Sequence, residues 1–459
     1  MTKLTVPQGA ALSIGAVLGT GVIGLPAMAS QTAGPASLIA WLGLVILSVP
    51  LAATFAALGA RYPDTGGVAT YARRAFGARA AAVVGWSFYF AVPVGAPAAA
   101  LFAGQYVQNA VGGGAGTVYG TSAALIAAVV CANMFGLRVS GRLQLGLGAL
   151  LVGLILLATV VSLPHARAAN LHPFAPHGWL AVGSAATILV WSFAGWEATT
   201  SLAAEFRNPA RDLPRVTAVA VAVIGVLYLG VATASILVLG PSGRSSAPLA
   251  ELLARGTGGP VRPLAAVAAV LLTFGTMNAY FAGSARLGAA LGRDGALPVW
   301  LARGGCAGEV PRRSLSVVGG LAAASMAVVG VTGLGSRPLI LLTTGCFVLV
   351  YVLGTAAAVR LLPRGAWSRR AAVVALVCSC LLLVLTGAYI VWPLLLSGAA
   401  LVYLRLRRGR AAGVPATAAV ATAAATATVA AATVATAAAA TAAAATAAAQ
   451  AATAARPPV

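Results

Sequence analysis

The stretches Gly19-Thr20-Gly21 and Phe193-Ala194-Gly195-Trp196-Glu197 interrupt two long apolar segments near their middles. Glycine is costly in a helix interior and leaves the backbone free to unwind. Inside a bilayer, unwound backbone is tolerated only where protein or a watery cavity satisfies its N–H and C=O groups. Two such breaks, five apolar segments apart, predict a binding site between them near the membrane midplane.

The composition is that of a membrane protein. Of the 459 residues, 60% are hydrophobic and only 8% are charged. Stretches of about 20 apolar residues recur, each long enough to cross a hydrocarbon core of roughly 30 Å. These runs are continuous, whereas the strands of a transmembrane barrel alternate in polarity. We therefore expect an all-α polytopic membrane protein that contacts the lipid bilayer.

Twelve membrane spans are predicted. They cover residues 9–30, 36–60, 80–110, 117–137, 143–163, 179–204, 215–240, 262–290, 314–333, 337–361, 371–389 and 390–405. Spans one to five and six to ten look like two copies of one plan, at about 9–163 and 179–361, each beginning with a broken helix. Because five is odd, the second copy must be inverted. The last two spans, at about 371–405, are peripheral, and they form either a tight hairpin or one long tilted helix.

The basic residues set the expected orientation. The net charge of +22 does not indicate nucleic-acid binding, because Lys and Arg punctuate the ends of apolar spans instead of forming one face. Loops rich in retained Lys and Arg are cytoplasmic. If the chain has twelve spans and a cytoplasmic N-terminus, most of the Lys and Arg residues, including the cluster at 405–410, lie in the cytoplasm. We expect a protein of the bacterial inner (cytoplasmic) membrane with both termini cytoplasmic.

Residues 411–459 differ from the predicted transporter domain at 1–410. They are nearly all Ala, Thr and Val. The frequent threonines and the lack of large side chains favour a low-complexity Ala/Thr-rich cytoplasmic tail, disordered or weakly helical. The alternative is a thirteenth span.

The half-helix ends at the breaks carry complementary partial charges. A half-helix N-terminus presents unpaired N–H groups and a C-terminus unpaired C=O groups. The first break can thus hold the carboxylate of an amino acid and the second its ammonium group, without a charged side chain. The alternative is that these glycines only permit close helix packing. The expected substrate-binding residues are Gly19, Thr20, Gly21, Val22, Phe193, Ala194, Gly195 and Trp196.

Glu197 is the one acidic residue deep in a predicted span. A carboxylate at that depth is costly and marks a pathway, a proton relay or a buried pairing. Glu197 is therefore a candidate for proton coupling. Alternatively, it accepts hydrogen bonds from the unwound backbone and holds the break open.

Mixed charges follow span six on its cytoplasmic side, where Pro209 and Pro214 are expected to stop helices. They form either a gate of ion pairs or a capped, solvated loop. The candidate gate residues are Glu205, Arg207, Arg211 and Asp212.

Other polar groups within the spans are weaker candidates, expected mainly to join helices. They include Thr273, Thr276, Asn278, Ser284, Thr343, Thr344 and Tyr351. The cysteines and histidines have no metal-ligand spacing, so neither a metal site nor a cofactor is expected. H⁺ is the expected coupling ion, and Na⁺ bound by hydroxyls of span eight is an alternative.

Two motifs resemble those of a known family. Gly19-Thr20-Gly21-Val22-Ile23-Gly24-Leu25-Pro26 resembles the G-[ST]-G-[IV]-x-x-x-P stretch of span one in the amino acid–polyamine–organocation (APC) superfamily. The second break and residues 204–214 (AEFRNPARDLP) resemble its span six and the E-x-[KR]-N-P-x-R-D-x-P exit. Arg61-Tyr62-Pro63 and residues 92–98 (VPVGAPA) bring the chain closest to that superfamily's bacterial L-methionine and branched-chain amino acid exporters.

The resemblance implies the leucine-transporter fold: a 5+5 inverted-repeat core plus two peripheral helices, working by alternating access. It implies that Phe193 is a gate, that Thr20, Gly21 and Val22 meet the substrate carboxylate, and that Phe193, Ala194 and Gly195 meet its amino group. Some proton-coupled relatives have a lysine in span five. Span five has none here, which leaves the coupling ion open.

The hypothesis is a secondary active transporter, not an enzyme, that exports neutral apolar amino acids (methionine, leucine, isoleucine, valine) against protons. The alternatives are an uptake symporter of the same fold and a transport-dead amino acid sensor or accessory subunit.

Overall fold

The computed structural model describes residues 5–63, 67–136, 141–197, 203, 206, 208–240, 246–259, 261–304 and 309–410. Every regular element within these ranges is helical. The α-helices in this part of the chain are α1 (Val6–Leu18), α2 (Gly21–Ala33), α3 (Ser37–Arg61), α4 (Gly67–Phe76), α5 (Ala78–Val111), α6 (Gly114–Met134), α7 (Gly141–Ser162), α8 (Leu180–Leu189), α9 (Pro209–Ala234), α10 (Pro248–Thr257), α11 (Arg262–Arg293), α12 (Arg312–Thr332), α13 (Ser336–Leu361), α14 (Trp367–Leu385) and α15 (Val391–Arg410).

The helices have the lengths that a membrane demands. Ten helical segments in the described residues are long and apolar enough to cross a bilayer. Two further apolar segments, Val6–Leu18 and Leu180–Phe193, are shorter, and each ends at one of the predicted breaks. Large apolar side chains also cover the outer surface of the bundle, for example Ile46, Val226 and Leu264. The chain is a multi-pass helical membrane protein.

Helix α5 is the centre of the bundle. At about 1.5 Å per residue its 34 residues extend roughly 51 Å. It packs against α4, α6, α11, α12, α13 and α15. Small residues permit this crowding: a Cβ atom on Gly104 would lie 2.5 Å from the carbonyl oxygen of Val118 in α6. Close packing over small residues replaces the hydrophobic effect as the force that joins helices in lipid.

Two short helices between the long ones were missed by the sequence analysis. Helix α4 packs on α5, and α10 packs on α2 and α7. The Tyr106 hydroxyl ties α10 to the bundle, because it donates to the Ile23 carbonyl of α2 (2.9 Å) and accepts the Leu249 N–H of α10 (3.1 Å). Both helices are only 10 residues long. A search for apolar segments of membrane length therefore does not detect them.

The expectation that Pro214 stops a helix was wrong, and Pro209 starts one. Pro209 is the first residue of α9 and Pro214 lies within that helix. The first turn of a helix has no intrahelical use for its N–H groups, so Pro209 costs nothing there.

Predicted spans eleven and twelve are separate helices. A 3₁₀ turn at Gly387–Ile390 divides α14 from α15. Helix α14 packs against α3 and α13, whereas α15 packs mainly against α5. The predicted tail at 411–459 lies outside the described residues.

Changing Gly104 to Ala should lower the stability of the bundle by about 1–3 kcal/mol, the usual cost of overpacking, because the new methyl group meets backbone that cannot move aside. Thermal unfolding in detergent measures this. The matched control is Gly120→Ala in α6, where an added Cβ meets nothing within 4 Å. Equal melting temperatures for the two variants would contradict the packing argument.

Candidate functional site

The first break lies between α1 and α2. Helix α1 ends at Leu18 and α2 begins at Gly21. Gly19 has φ +38°, a left-handed conformation that favours glycine. The chain therefore leaves the helix for two residues, which frees C=O groups at the end of α1 and N–H groups at the start of α2.

The second break follows α8. A 3₁₀ turn at Val190–Phe193 ends the helix, and Gly195 has φ +128°. Residues 194–197 form a turn, and of the rest of predicted span six only Ala203 is described. The break thus exposes backbone in the middle of the bundle.

The two breaks lie against each other. A Cβ atom on Gly21 would lie 2.6 Å from Ser192 Oγ and 3.0 Å from Ser192 Cα. A Cβ on Gly195 would lie 2.9 Å from the Ala16 carbonyl oxygen. These distances leave no room for a side chain. Because both positions are glycine, the backbone at each break can contact the other broken helix.

The Tyr228 hydroxyl of α9 lies where carbonyl groups of both broken helices converge. It donates to the Ser192 carbonyl (2.7 Å), and the carbonyl oxygens of Val17 and Leu18 lie 3.1 and 3.4 Å away. The ring contacts Trp41 and Phe193, with centroids 5.1 and 5.0 Å distant. Tyr228 thereby satisfies backbone that the breaks leave without helical partners.

Glu197 and Tyr351 hold the second break from its other side. The Gly195 N–H donates to Glu197 Oε2 (3.0 Å), and the Tyr351 hydroxyl lies 2.8 Å from the same oxygen and 3.2 Å from the Phe193 carbonyl. The Glu197 carboxylate therefore accepts hydrogen bonds from unwound backbone. This is the geometry of the alternative in which Glu197 keeps the break open.

A central cavity adjoins both breaks, with about 560 Å³ of empty space that includes space open to solvent. The breaks, α5, α11 and α13 form its walls. The lining residues are Ala16, Val17, Gly19, Thr20, Gly21, Ala91, Val92, Gly95, Ala96, Ala99, Trp191, Ala194, Thr276, Met277, Tyr280, Phe281, Thr343 and Phe347.

The walls of the central cavity are apolar, with polar backbone at one edge. Among its described lining residues no side chain is charged. The Thr343 hydroxyl is buried without a hydrogen-bond partner among the described residues. An unsatisfied buried hydroxyl costs about 1–3 kcal/mol, which a polar ligand in the cavity would relieve. The cavity therefore fits a small ligand with one polar end and an apolar body.

The structure separates the predicted binding residues into three groups. Four of them line the central cavity, namely Gly19, Thr20, Gly21 and Ala194. Val22, Phe193 and Trp196 are buried and are not among its lining residues. Gly195 lines a neighbouring cavity described next.

The α1–α7 cavity is larger, with about 1,460 Å³ of empty space, and is lined by α1, α5, α7 and α11. It shares Ala16, Val92, Thr276 and Tyr280 with the central cavity, so the two spaces adjoin each other. Glu197 lines the α1–α7 cavity. Glu197 is therefore bound to backbone and at the same time lines this cavity.

The candidate gate is only partly described. Glu205 and Arg207 lie outside the described residues. Arg211 and Asp212 belong to the first turns of α9. Asp212 Oδ2 lies 3.4 Å from the Asn208 N–H, a position that complements the positive end of a helix.

Sequence reasoning missed Tyr228, Trp191 and Tyr280 at this site. All three are aromatic residues inside apolar segments, where packing alone would explain them. The pattern that could have drawn attention to Tyr228 is a hydroxyl in the middle of a span, because a buried Tyr O–H usually finds a hydrogen-bond partner.

Changing Gly21 to Ala should force the two broken helices apart, because the methyl group would meet Ser192 Cα at 3.0 Å. We expect leucine binding to weaken by about tenfold or more, which corresponds to roughly 1.4 kcal/mol. Equilibrium binding of radiolabelled leucine to purified protein measures it. Gly43→Ala in α3, where an added Cβ meets nothing within 4 Å, is the control. If both variants bind leucine equally well, close contact of the breaks is not needed for binding.

Comparison with known proteins places the chain in a family. A family model described as amino acid permease matches residues 4–455. YecA, an uncharacterized amino acid permease of Bacillus subtilis, is 32% identical over 89% of this chain and 96% of its own length. The L-methionine/branched-chain amino acid exporter YjeH of Escherichia coli is 32% identical over 83% of this chain and 91% of its own length. The branched-chain amino acid permease BcaP of Bacillus subtilis is 25% identical over 62% of this chain and 66% of its own. These relatives are transporters and permeases, and the chain belongs to the amino acid permease family of the APC superfamily.

Proposed function

We propose that this protein is a secondary active transporter that exports neutral amino acids with apolar side chains, in exchange for protons, across a bacterial inner membrane. The observation that carries the proposal is the central cavity between the two breaks, with bare backbone at one edge and apolar walls elsewhere.

The backbone of the breaks supports recognition of the amino acid head. The amides at the start of α2, near Thr20 and Gly21, offer unpaired N–H groups and the positive end of a helix dipole to a carboxylate. Ala194 of the second break lines the same cavity and offers its carbonyl to an ammonium group. Neither interaction needs a charged side chain.

The walls support the choice of apolar side chains. Met277, Phe281 and Phe347 line the central cavity together with small residues of α5 such as Ala96 and Ala99. A charged side chain would lose its hydration there without gaining a partner, which is costly. Methionine, leucine, isoleucine and valine fit these walls. The names of two relatives, an exporter and a permease of branched-chain amino acids, support the same class.

The proposed architecture is a leucine-transporter-type 5+5 inverted repeat of twelve spans with both termini cytoplasmic. It is supported by two broken helices that begin the two groups of five, and by the separate helices α14 and α15. The α1–α7 cavity supports alternating access, since it offers a route beside the second half of α1 that a shift of that helix would open or close.

Transport direction is tested by leucine counterflow in inside-out vesicles. If the protein exchanges leucine for protons, a lumen more acidic than the outside should drive leucine into the vesicles. An uptake symporter would drive leucine out under the same gradient, and strict Na⁺ dependence would contradict the proton proposal. Ala96→Phe, which fills the central cavity, should abolish accumulation, whereas Ala124→Phe on the exposed face of α6 should not. Leucine binding without any flux would identify a sensor instead.

Proton coupling through Glu197 is tested by Glu197→Gln. The amide oxygen can still accept the Gly195 N–H, so the break should stay in place while the titrating group is lost. We expect leucine exchange to continue and its dependence on the pH gradient to disappear. Tyr351→Phe, which removes the hydrogen bond from the Tyr351 hydroxyl to the carboxylate, is the comparison and should keep the gradient dependence. If the Gln variant keeps that dependence and only melts at a lower temperature, Glu197 is structural.

A further inference from the structure

A third cavity, the α6–α12 cavity, contains about 970 Å³ of empty space. It lies between the end of α6, the second half of α11 and the start of α12. Its wall on α11 includes Asn278, Ala282 and Arg286. By helical spacing these residues lie on the face of α11 opposite to Met277, Tyr280 and Phe281, which line the central cavity. The two cavities therefore lie on opposite sides of one helix.

Two buried amides form the polar floor of the α6–α12 cavity. Asn133 and Asn278 are only 8% and 4% exposed. Asn133 Nδ2 donates to the Val129 carbonyl (2.9 Å) and to Asn278 Oδ1 (2.7 Å). Both hydrogens of that amide are thus used, whereas Asn133 Oδ1 and Asn278 Nδ2 have no partner within the described residues. One acceptor and one donor are left for a ligand.

Charges of both signs line the same cavity. Arg286 and Glu309 belong to its walls, and neither forms an ion pair with another described residue. A guanidinium and a carboxylate around one space complement a zwitterion, because the first binds an anionic group and the second an ammonium group. Val310, Pro311 and Leu315 add apolar surface.

We propose that the α6–α12 cavity is a second amino-acid site, distinct from the central cavity. The carboxylate of the ligand lies toward Arg286, its ammonium group toward Glu309, and its apolar side chain against Val310, Pro311 and Leu315. The choice of an amino acid as the zwitterion rests on the proposed function. Because α11 lines both cavities, a ligand in the α6–α12 cavity contacts the helix that also lines the central cavity.

The experiment is equilibrium binding of radiolabelled leucine to the full-length protein in nanodiscs without phosphatidylethanolamine. Wild type should bind two equivalents per chain. Arg286→Gln and Glu309→Gln, at two exposed positions on different elements, should each bind one. Arg262→Gln, at the exposed start of the same helix, should still bind two. Ala96→Phe, which fills the central cavity, should bind one, and its combination with Arg286→Gln none.

The outcomes separate this inference from the proposed function. If wild type binds one equivalent and Ala96→Phe removes it, the second site is wrong and the central site stands. If Ala96→Phe leaves binding unchanged while Arg286→Gln removes it, the central site is wrong. The absence of all leucine binding would overturn both. A further outcome is that wild type binds a single equivalent of leucine and keeps phosphatidylethanolamine carried over from purification, which Arg286→Gln loses. That result would identify a lipid headgroup as the occupant and overturn the amino-acid assignment.

Discussion

The structure depends on direct contact between two interrupted helices in the middle of the bundle. Gly21 meets Ser192, and Gly195 meets the Ala16 carbonyl, at distances that a side chain would forbid. In lipid, a break in a helix is stable only if its free backbone groups find partners. Mutual contact brings both sets of free groups to one place, where the same partners serve both. The cavity with polar backbone at its edge is a consequence of that arrangement.

Three side chains make the arrangement stable. The Tyr228 hydroxyl lies among carbonyls of both broken helices, and Tyr351 and Glu197 bind the second break from the other side. These groups come from α9, α13 and the break itself, so three parts of the chain must be in register for the backbone to be satisfied. A partly satisfied buried network is costly. Glu197 therefore has a structural task at the same position where a proton could be exchanged with the α1–α7 cavity.

Much of the fold could be predicted, and the reasons are local. Long apolar runs gave the membrane-spanning helices, and glycines in their middles gave the breaks at Gly19 and Gly195. The amphipathic helices α4 and α10 were missed, since neither is apolar enough to span a bilayer. Pro214 was misread because one proline does not by itself end a helix. The residues on both sides of Pro214 continue α9. At the site, the backbone of the first break lines the central cavity, whereas nothing in the sequence marks which aromatic residues surround that cavity.

The sequence by itself determined that the chain crosses a membrane repeatedly as helices and where two of those helices are interrupted, because apolar length and glycine content act within one segment. Only the tertiary structure decided which groups face the central cavity. Val22 and Phe193 are adjacent in sequence to Gly21 and Ala194, yet they do not line it, and Tyr228 reaches carbonyls more than 200 residues earlier in the chain. Such outcomes follow from how distant helices rotate and pack against one another, which no short stretch of residues encodes.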